Sequence, residues 1–244
     1  IQYTFALVGL WWIAFSQVTF RRLPTSVEST AKQKHLLSSG YKELKNVWVD
    51  LKHRLQLRRF LTSYFMYNMG VQTVMIMAVP FAPKAIKWES ENQQQQSLII
   101  SILIIQFLGV AGAFIMSKLS SVIGNIKTIG LNIGIWSAIC VYTYLLVDTP
   151  TEFYVVAASV GLVMGGIQAM SRSTYSKMLP ETKDHASYFS FYDVSEKIGL
   201  AIGTTTFGLI EDVTGGIRNS VLSLILIFIV GFVLLLRVPK QKAD

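Results

Sequence analysis

Apolar residues in this chain fall into seven long unbroken runs, at roughly 1–20, 60–80, 97–117, 128–147, 153–171, 188–210 and 219–236, parted by short charged segments. Each run is about 18–23 residues long. At about 1.5 Å per helical residue that length spans the roughly 30 Å hydrocarbon layer of a bilayer. The runs are continuous rather than alternating, which fits helices and not the strands of a barrel. Within lipid a helix satisfies its own backbone groups. The pattern predicts an all-α, polytopic transmembrane helical bundle.

Composition agrees. The chain has 244 residues, of which 52% are hydrophobic and 15% charged, with a mean hydropathy of +0.46. A soluble domain of this length is more polar. The net charge of +8 would suit a nucleic-acid binder, but the cations are sorted by side. Ten lie between the first two runs: Arg21, Arg22, Lys32, Lys34, Lys42, Lys45, Lys52, Arg54, Arg58 and Arg59. Alternate connections put Lys118, Lys127, Arg172, Lys177, Lys183, Arg237, Lys240 and Lys242 on that same side, and only Lys84, Lys87 and Arg218 opposite. By the positive-inside rule the basic side is cytoplasmic, and the charge reports topology with no nucleic-acid partner. The expectation is a multi-pass protein of a bacterial inner membrane, with loop 21–59 and the C-terminus cytoplasmic. The chain opens at Ile1 inside an apolar run, without Met, and reads as a piece of a longer polypeptide.

The long loop has two parts. Its first half, LPTSVESTAKQKHLLSSG, is polar and expected to be mobile. Residues 43–59 read as an amphipathic helix, with Leu44, Val47, Trp48, Leu51 and Leu55 at helical spacing. That stripe either lies on anionic lipid or packs on the ends of the spans. Glycine pairs four apart, Gly130/Gly134, Gly161/Gly165 and Gly199/Gly203, are expected to bring helices close.

No nucleophile elbow, HExxH motif or phosphate loop occurs. His35, His53 and His185 are scattered through polar segments, and Cys140 sits alone within a run. No enzyme, metal or cofactor is expected. The informative residues are polar ones inside the runs. Asn68 and Gln72 are four apart and share a helix face, as are Gln168 and Arg172. Asp193 and Lys197 are likewise four apart, with Tyr192 and Glu196 beside them, and are expected to pair with each other, with Arg172 of the neighbouring run close enough to compete for the carboxylate. Ionisable groups in a span are costly unless paired or wetted. Asn68, Gln72, Gln168 and Tyr192 therefore become candidates for lining a solute path. Arg172, Asp193, Glu196 and Lys197 become candidates for a gating ion-pair network. The alternative for each is a structural tie within the bundle.

The stretches GGIQAMSRS and LPETKDHASYFSFYDVSEKIG resemble the major facilitator superfamily, in the group related to the fungal vacuolar amino-acid effluxers. That resemblance implies twelve spans in two six-helix halves joined by a cytoplasmic loop. Residues 1–20 then correspond to the last helix of the N-terminal half, 21–59 to the central loop, and 60–244 to the C-terminal six-helix half. It implies a secondary transporter moving a small solute, amino acids by analogy, by alternating access. Its partners would be that solute, membrane lipids and a further N-terminal half. A non-transporting scaffold or sensor and a lipid translocator are the competing classes. Two positions depart from the group's pattern. Ser121 stands where the superfamily's inner-loop signature has aspartate, and Met69 where relatives tend to carry an acid after the asparagine.

Overall fold

The computed structural model of the chain describes residues 2–22, 36–181 and 184–239. Of the stretch 23–40 expected to be mobile, residues 23–35 lie outside the described residues, as do Lys183, Lys240 and Lys242, whereas residues 36–40 form the first turns of α2 rather than a mobile segment. The described residues form eight α-helices: α1 Gln2–Arg22, α2 Leu36–His53, α3 Leu55–Ala85, α4 Glu91–Ile123, α5 Asn125–Leu146, α6 Pro150–Met178, α7 His185–Thr214 and α8 Ile217–Leu236. Residues 1–41 and 42–244 are separate compact units. In the first, α1 is apolar around its circumference, and Trp11 lies against Phe15 with ring centres 4.3 Å apart.

Six helices are long and apolar enough to cross a membrane: α1, α3, α4, α5, α6 and α8. The remaining run of the sequence, 188–210, lies in α7. That helix has 30 residues, but Asp193, Glu196, Lys197, Glu211 and Asp212 lower its hydropathy. It nevertheless packs within the bundle, against α3 and α8. The helices outlast their apolar runs because the bilayer sets a minimum length and capping sets the end. Ser90 accepts from the Gln93 N–H at 3.2 Å and starts α4, so the glutamine run 93–96 is helical. Thr149 and Glu152 form a capping box for α6, with Pro150 in its first turn. Asp184 accepts from the Ser187 N–H at 3.2 Å to start α7. Between α4 and α5 the chain turns on Gly124 alone, at φ +89°, a conformation that requires glycine.

The segment 43–59 is not one helix. The chain breaks at Arg54, and residues 55–59 belong to the first turns of α3. Val47 and Leu51 are buried in the core while Trp48 and Leu55 stay exposed, so the inner part of the stripe packs on the bundle. Its polar partners lie at the start of α7. Tyr188 donates to Asp50 at 2.6 Å, Ser187 donates to Glu43 at 3.3 Å, and Trp48 approaches Phe191 with ring centres 6.1 Å apart. At the same end, Arg59 and Gln56 donate to the carbonyls of Arg237 and Pro239. At the far end the Arg218 guanidinium bridges the carbonyls of Ala85 and Val147 and pairs with Asp148, tying α8 to the ends of α3 and α5.

The Asp50 carboxyl is held below its usual 3.8, first by the Tyr188 hydroxyl; partial burial opposes this and Arg54 reinforces it. A depressed acid stabilises the fold above its ordinary pKa and loses that contribution as pH falls through the native value. The α2–α7 contact should therefore weaken only under acid, below about pH 4. Hydrogen exchange of α2 at pH 7 and pH 3 checks this. Tyr188→Phe should raise exchange at pH 7 and flatten the pH difference.

The closest helix contact joins α4 and α6. A methyl on Gly112 would overlap the Leu162 backbone, and one on Gly165 would overlap the Gly109 backbone. Gly203 plays the same part for α7, where a methyl would overlap Thr73 of α3, while Gly199 faces Met69 at ordinary contact distance. Met69 is buried there, so an acid at that position would enter a helix interface. Gly130 lies under Phe232, but Gly134 faces no atom within 4 Å. The Gly130/Gly134 pair thus does not seat a helix as its spacing suggests. Gly165→Ala should cost about 1–3 kcal/mol by overpacking. Gly134→Ala should be neutral or stabilising. Thermal unfolding in detergent distinguishes them.

Candidate functional site

The polar residues of three helices meet in one cavity of about 880 Å³. From α3 come Tyr64, Asn68 and Gln72, each four residues apart and so on one stripe. From α6 come Gln168, Ser171, Arg172 and Ser176. From α7 come Phe189, Tyr192 and Glu196. Of the eight residues singled out from the sequence, Asn68, Gln72, Gln168, Arg172, Tyr192 and Glu196 line this cavity. Asp193 and Lys197 do not, but each forms an ion pair with a residue that does.

The ion pairing differs from the expected Asp193–Lys197 pair. Asp193 is bound by Arg172 of α6 at 2.9 Å, and Lys197 turns to Glu196 at 3.1 Å. The reason lies in the neighbouring helix. Arg172 reaches across from α6, and its guanidinium sits 5.8 Å over the Tyr192 ring, which orients it toward the next residue. Lys197 is 71% exposed and has Glu196 adjacent. Glu196 also accepts from the Tyr64 hydroxyl at 3.1 Å.

Aromatic rings form the wall. Tyr64 stacks on Tyr192 with centres 4.1 Å apart, and Tyr175 lies 4.8 Å from Tyr192 on its own account. Tyr175 donates to the Tyr188 carbonyl at 2.7 Å, which fixes the start of α7. Tyr67 and Ser171 share a hydrogen bond of 2.7 Å that joins α3 to α6. Tyr64, Tyr67, Tyr175 and Ser171 were not singled out from the sequence. Tyr64 could have been, since it continues the Asn68/Gln72 stripe back by one turn. Tyr67 and Tyr175 could not, because their partners are on other helices.

Asn68 is 6% exposed, yet its side-chain Nδ2 makes no hydrogen bond among the described residues. A buried donor without a partner is costly and marks a place for an acceptor. Arg172, Gln72 and Gln168 supply further donors to the same space, and Glu196 is its carboxylate. Gln168 also reaches the Met75 sulfur at 3.7 Å. Met75 borders a separate apolar chamber of about 230 Å³, where Cys140 is buried among aliphatic and aromatic side chains.

The fold is that of a major-facilitator transporter half. The structure of the Escherichia coli fucose:proton symporter FucP superposes on 87% of this chain and 48% of its own with a TM-score of 0.61, at 20% identity. The chain belongs to the family described as "Vacuole effluxer Atg22 like", whose family model matches residues 1–244. It is 28% identical over 243 residues to YxiO of Bacillus subtilis, an uncharacterized MFS-type transporter, covering 99% of this chain and 54% of that one. It is 25% identical over 268 residues to Autophagy-related protein 22 of Yarrowia lipolytica, covering 97% and 44%. It is 29% identical over 265 residues to Autophagy-related protein 22-1 of Aspergillus fumigatus, covering 98% and 42%. The chain thus spans about half the length of the curated relatives it matches. It is a multi-pass membrane protein of a transporter family.

A double-mutant cycle tests the pairing. Arg172 and Asp193 are 61% and 55% exposed in the isolated chain, so their coupling should be small, about 0.5 kcal/mol. Asp193 and Lys197 should show none. Thermal unfolding of the singles and doubles in detergent reads both values, and coupling only in the second cycle would reverse the assignment.

Proposed function

We propose that the chain is the solute-binding half of a secondary transporter that works by alternating access, with the 880 Å³ cavity as its part of the solute path. The observation that carries this reading is the buried, unpartnered Asn68 amide on a wall that also holds Arg172 and Glu196. Other buried atoms, such as those of Ser101 and Trp136, also lack partners; what sets the Asn68 amide apart is its place beside Arg172 and Glu196 in the cavity lining.

The wall offers donors for a carboxylate at Asn68 and Arg172, and an acceptor for an ammonium at Glu196. That pairing of charges suits a zwitterion, so an amino acid is the proposed solute. The relatives named as autophagy-related proteins and the family's description as vacuole effluxers support solute movement in general. The active unit contains a second six-helix half, in line with relatives about twice this length. The sorting of Lys and Arg supports a cytoplasmic position for α2 and the end of α8, and a bacterial cytoplasmic membrane is the proposed location.

Uptake by the full-length protein in proteoliposomes tests the reading, with a panel of amino acids and with or without a proton gradient. Asn68→Ala and Arg172→Gln should each lower flux about 10- to 100-fold, the range expected for losing a hydrogen bond to a charged group. Thermal stability should change far less. A protein that binds no amino acid and passes none would leave the scaffold reading in place.

A further inference from the structure

A groove of about 550 Å³ runs between α5 and α8, away from the solute cavity and sharing no residue with it. Gly130, Gly134 and Ala138 form its floor, and Phe232 and Leu236 its opposite wall. Gly134 has open space where a side chain would stand. Leu131, Phe232 and Leu236 around it are exposed. Residues 126–138 rise about 18 Å along the helix, close to the roughly 15 Å depth of one hydrocarbon leaflet. In a bilayer an apolar trough of that length takes a hydrocarbon chain.

The end of the trough has a different chemistry. Lys127 lines it, is exposed, and has no ion pair among the described residues. It stands in the first turn of α5, whose N-cap Gly124 supplies no side chain to the free backbone N–H groups. A helix start with open N–H groups and an adjacent ammonium favours an anion, phosphate above all. The hydrocarbon trough and the cationic end together fit a single amphiphile.

We propose that this groove is a binding site for one anionic glycerophospholipid, with an acyl chain over Gly134 and its phosphate at Lys127. Basic pockets between spans are selective for anionic headgroups by charge, and the trough fixes where the lipid sits. The site belongs to the side of the molecule where α2 and the end of α8 lie, since Leu236 and Arg237 adjoin it in sequence. It requires no assumption about the transported solute.

The test uses the full-length protein in vesicles of equimolar dioleoylphosphatidylglycerol and dioleoylphosphatidylcholine. Lipids retained after gentle detergent extraction are identified by native mass spectrometry. The unaltered protein should retain phosphatidylglycerol in preference to phosphatidylcholine. Lys127→Gln should lower that preference about fivefold, the effect of one cation near a membrane surface. Gly134→Leu sets its Cβ in open space, extends its side chain into the trough and raises the helix propensity of α5, so it should fold and lose the retained lipid of either kind. Retention of phosphatidylglycerol at the original ratio by both variants overturns the proposal. So does an unaltered protein that retains neither lipid.

Discussion

The backbone contact between α4 and α6 governs the rest of this structure. Lipid chains are as apolar as leucine, so helices in a membrane gain little from hiding apolar surface and associate by close fit. Gly112, Gly161 and Gly165 remove the side chains that would hold α4 and α6 apart. That seat fixes the rotation of α6 about its axis. Gln168 and Arg172 follow Gly161 and Gly165 by seven residues each, two turns along one stripe. Once the glycines meet α4, the two polar residues have a fixed direction.

The same construction recurs on α7. Gly199 and Gly203 seat it against Met69 and Thr73 of α3. Tyr192 and Glu196 precede that pair by seven residues. On both helices a stripe begins as a dry contact and becomes, two turns on, the wall of a wet cavity. The third wall, Tyr64, Asn68 and Gln72, lies on α3, the helix that receives α7. Rigid contacts thus carry the polar groups on regular helices rather than on loops, which holds their spacing while leaving Asn68 Nδ2 without a partner.

The ends of the bundle are fastened by different chemistry. At one end the Arg218 guanidinium collects the last carbonyls of α3 and α5, groups that a helix cannot satisfy for itself. At the other, α2 is joined to the start of α7 through Asp50, Glu43 and Trp48, and its Val47 and Leu51 are buried in the core. Since α7 carries Tyr192 and Glu196 into the cavity, α2 bears on the helix whose first turns border the site.

The sequence by itself determined what depends on neighbours along one chain. Apolar runs long enough for a bilayer dictated helices, because lipid offers the backbone no other partner. Four-residue spacing put Asn68 with Gln72 and Gln168 with Arg172 on shared faces, and repetition at 3.6 residues per turn guarantees that much. Tertiary structure decided whatever required a second helix. It gave Asp193 to Arg172 rather than to Lys197, because the competing cation sits on α6 and is oriented by Tyr192. It ended the amphipathic segment at Arg54, where the chain turns from the surface of the bundle into α3. It left Gly134 open while pressing Gly165 against the Gly109 backbone, although both belong to pairs of the same spacing. Spacing along a helix names the residues on one face, and only the neighbouring helix determines what that face meets.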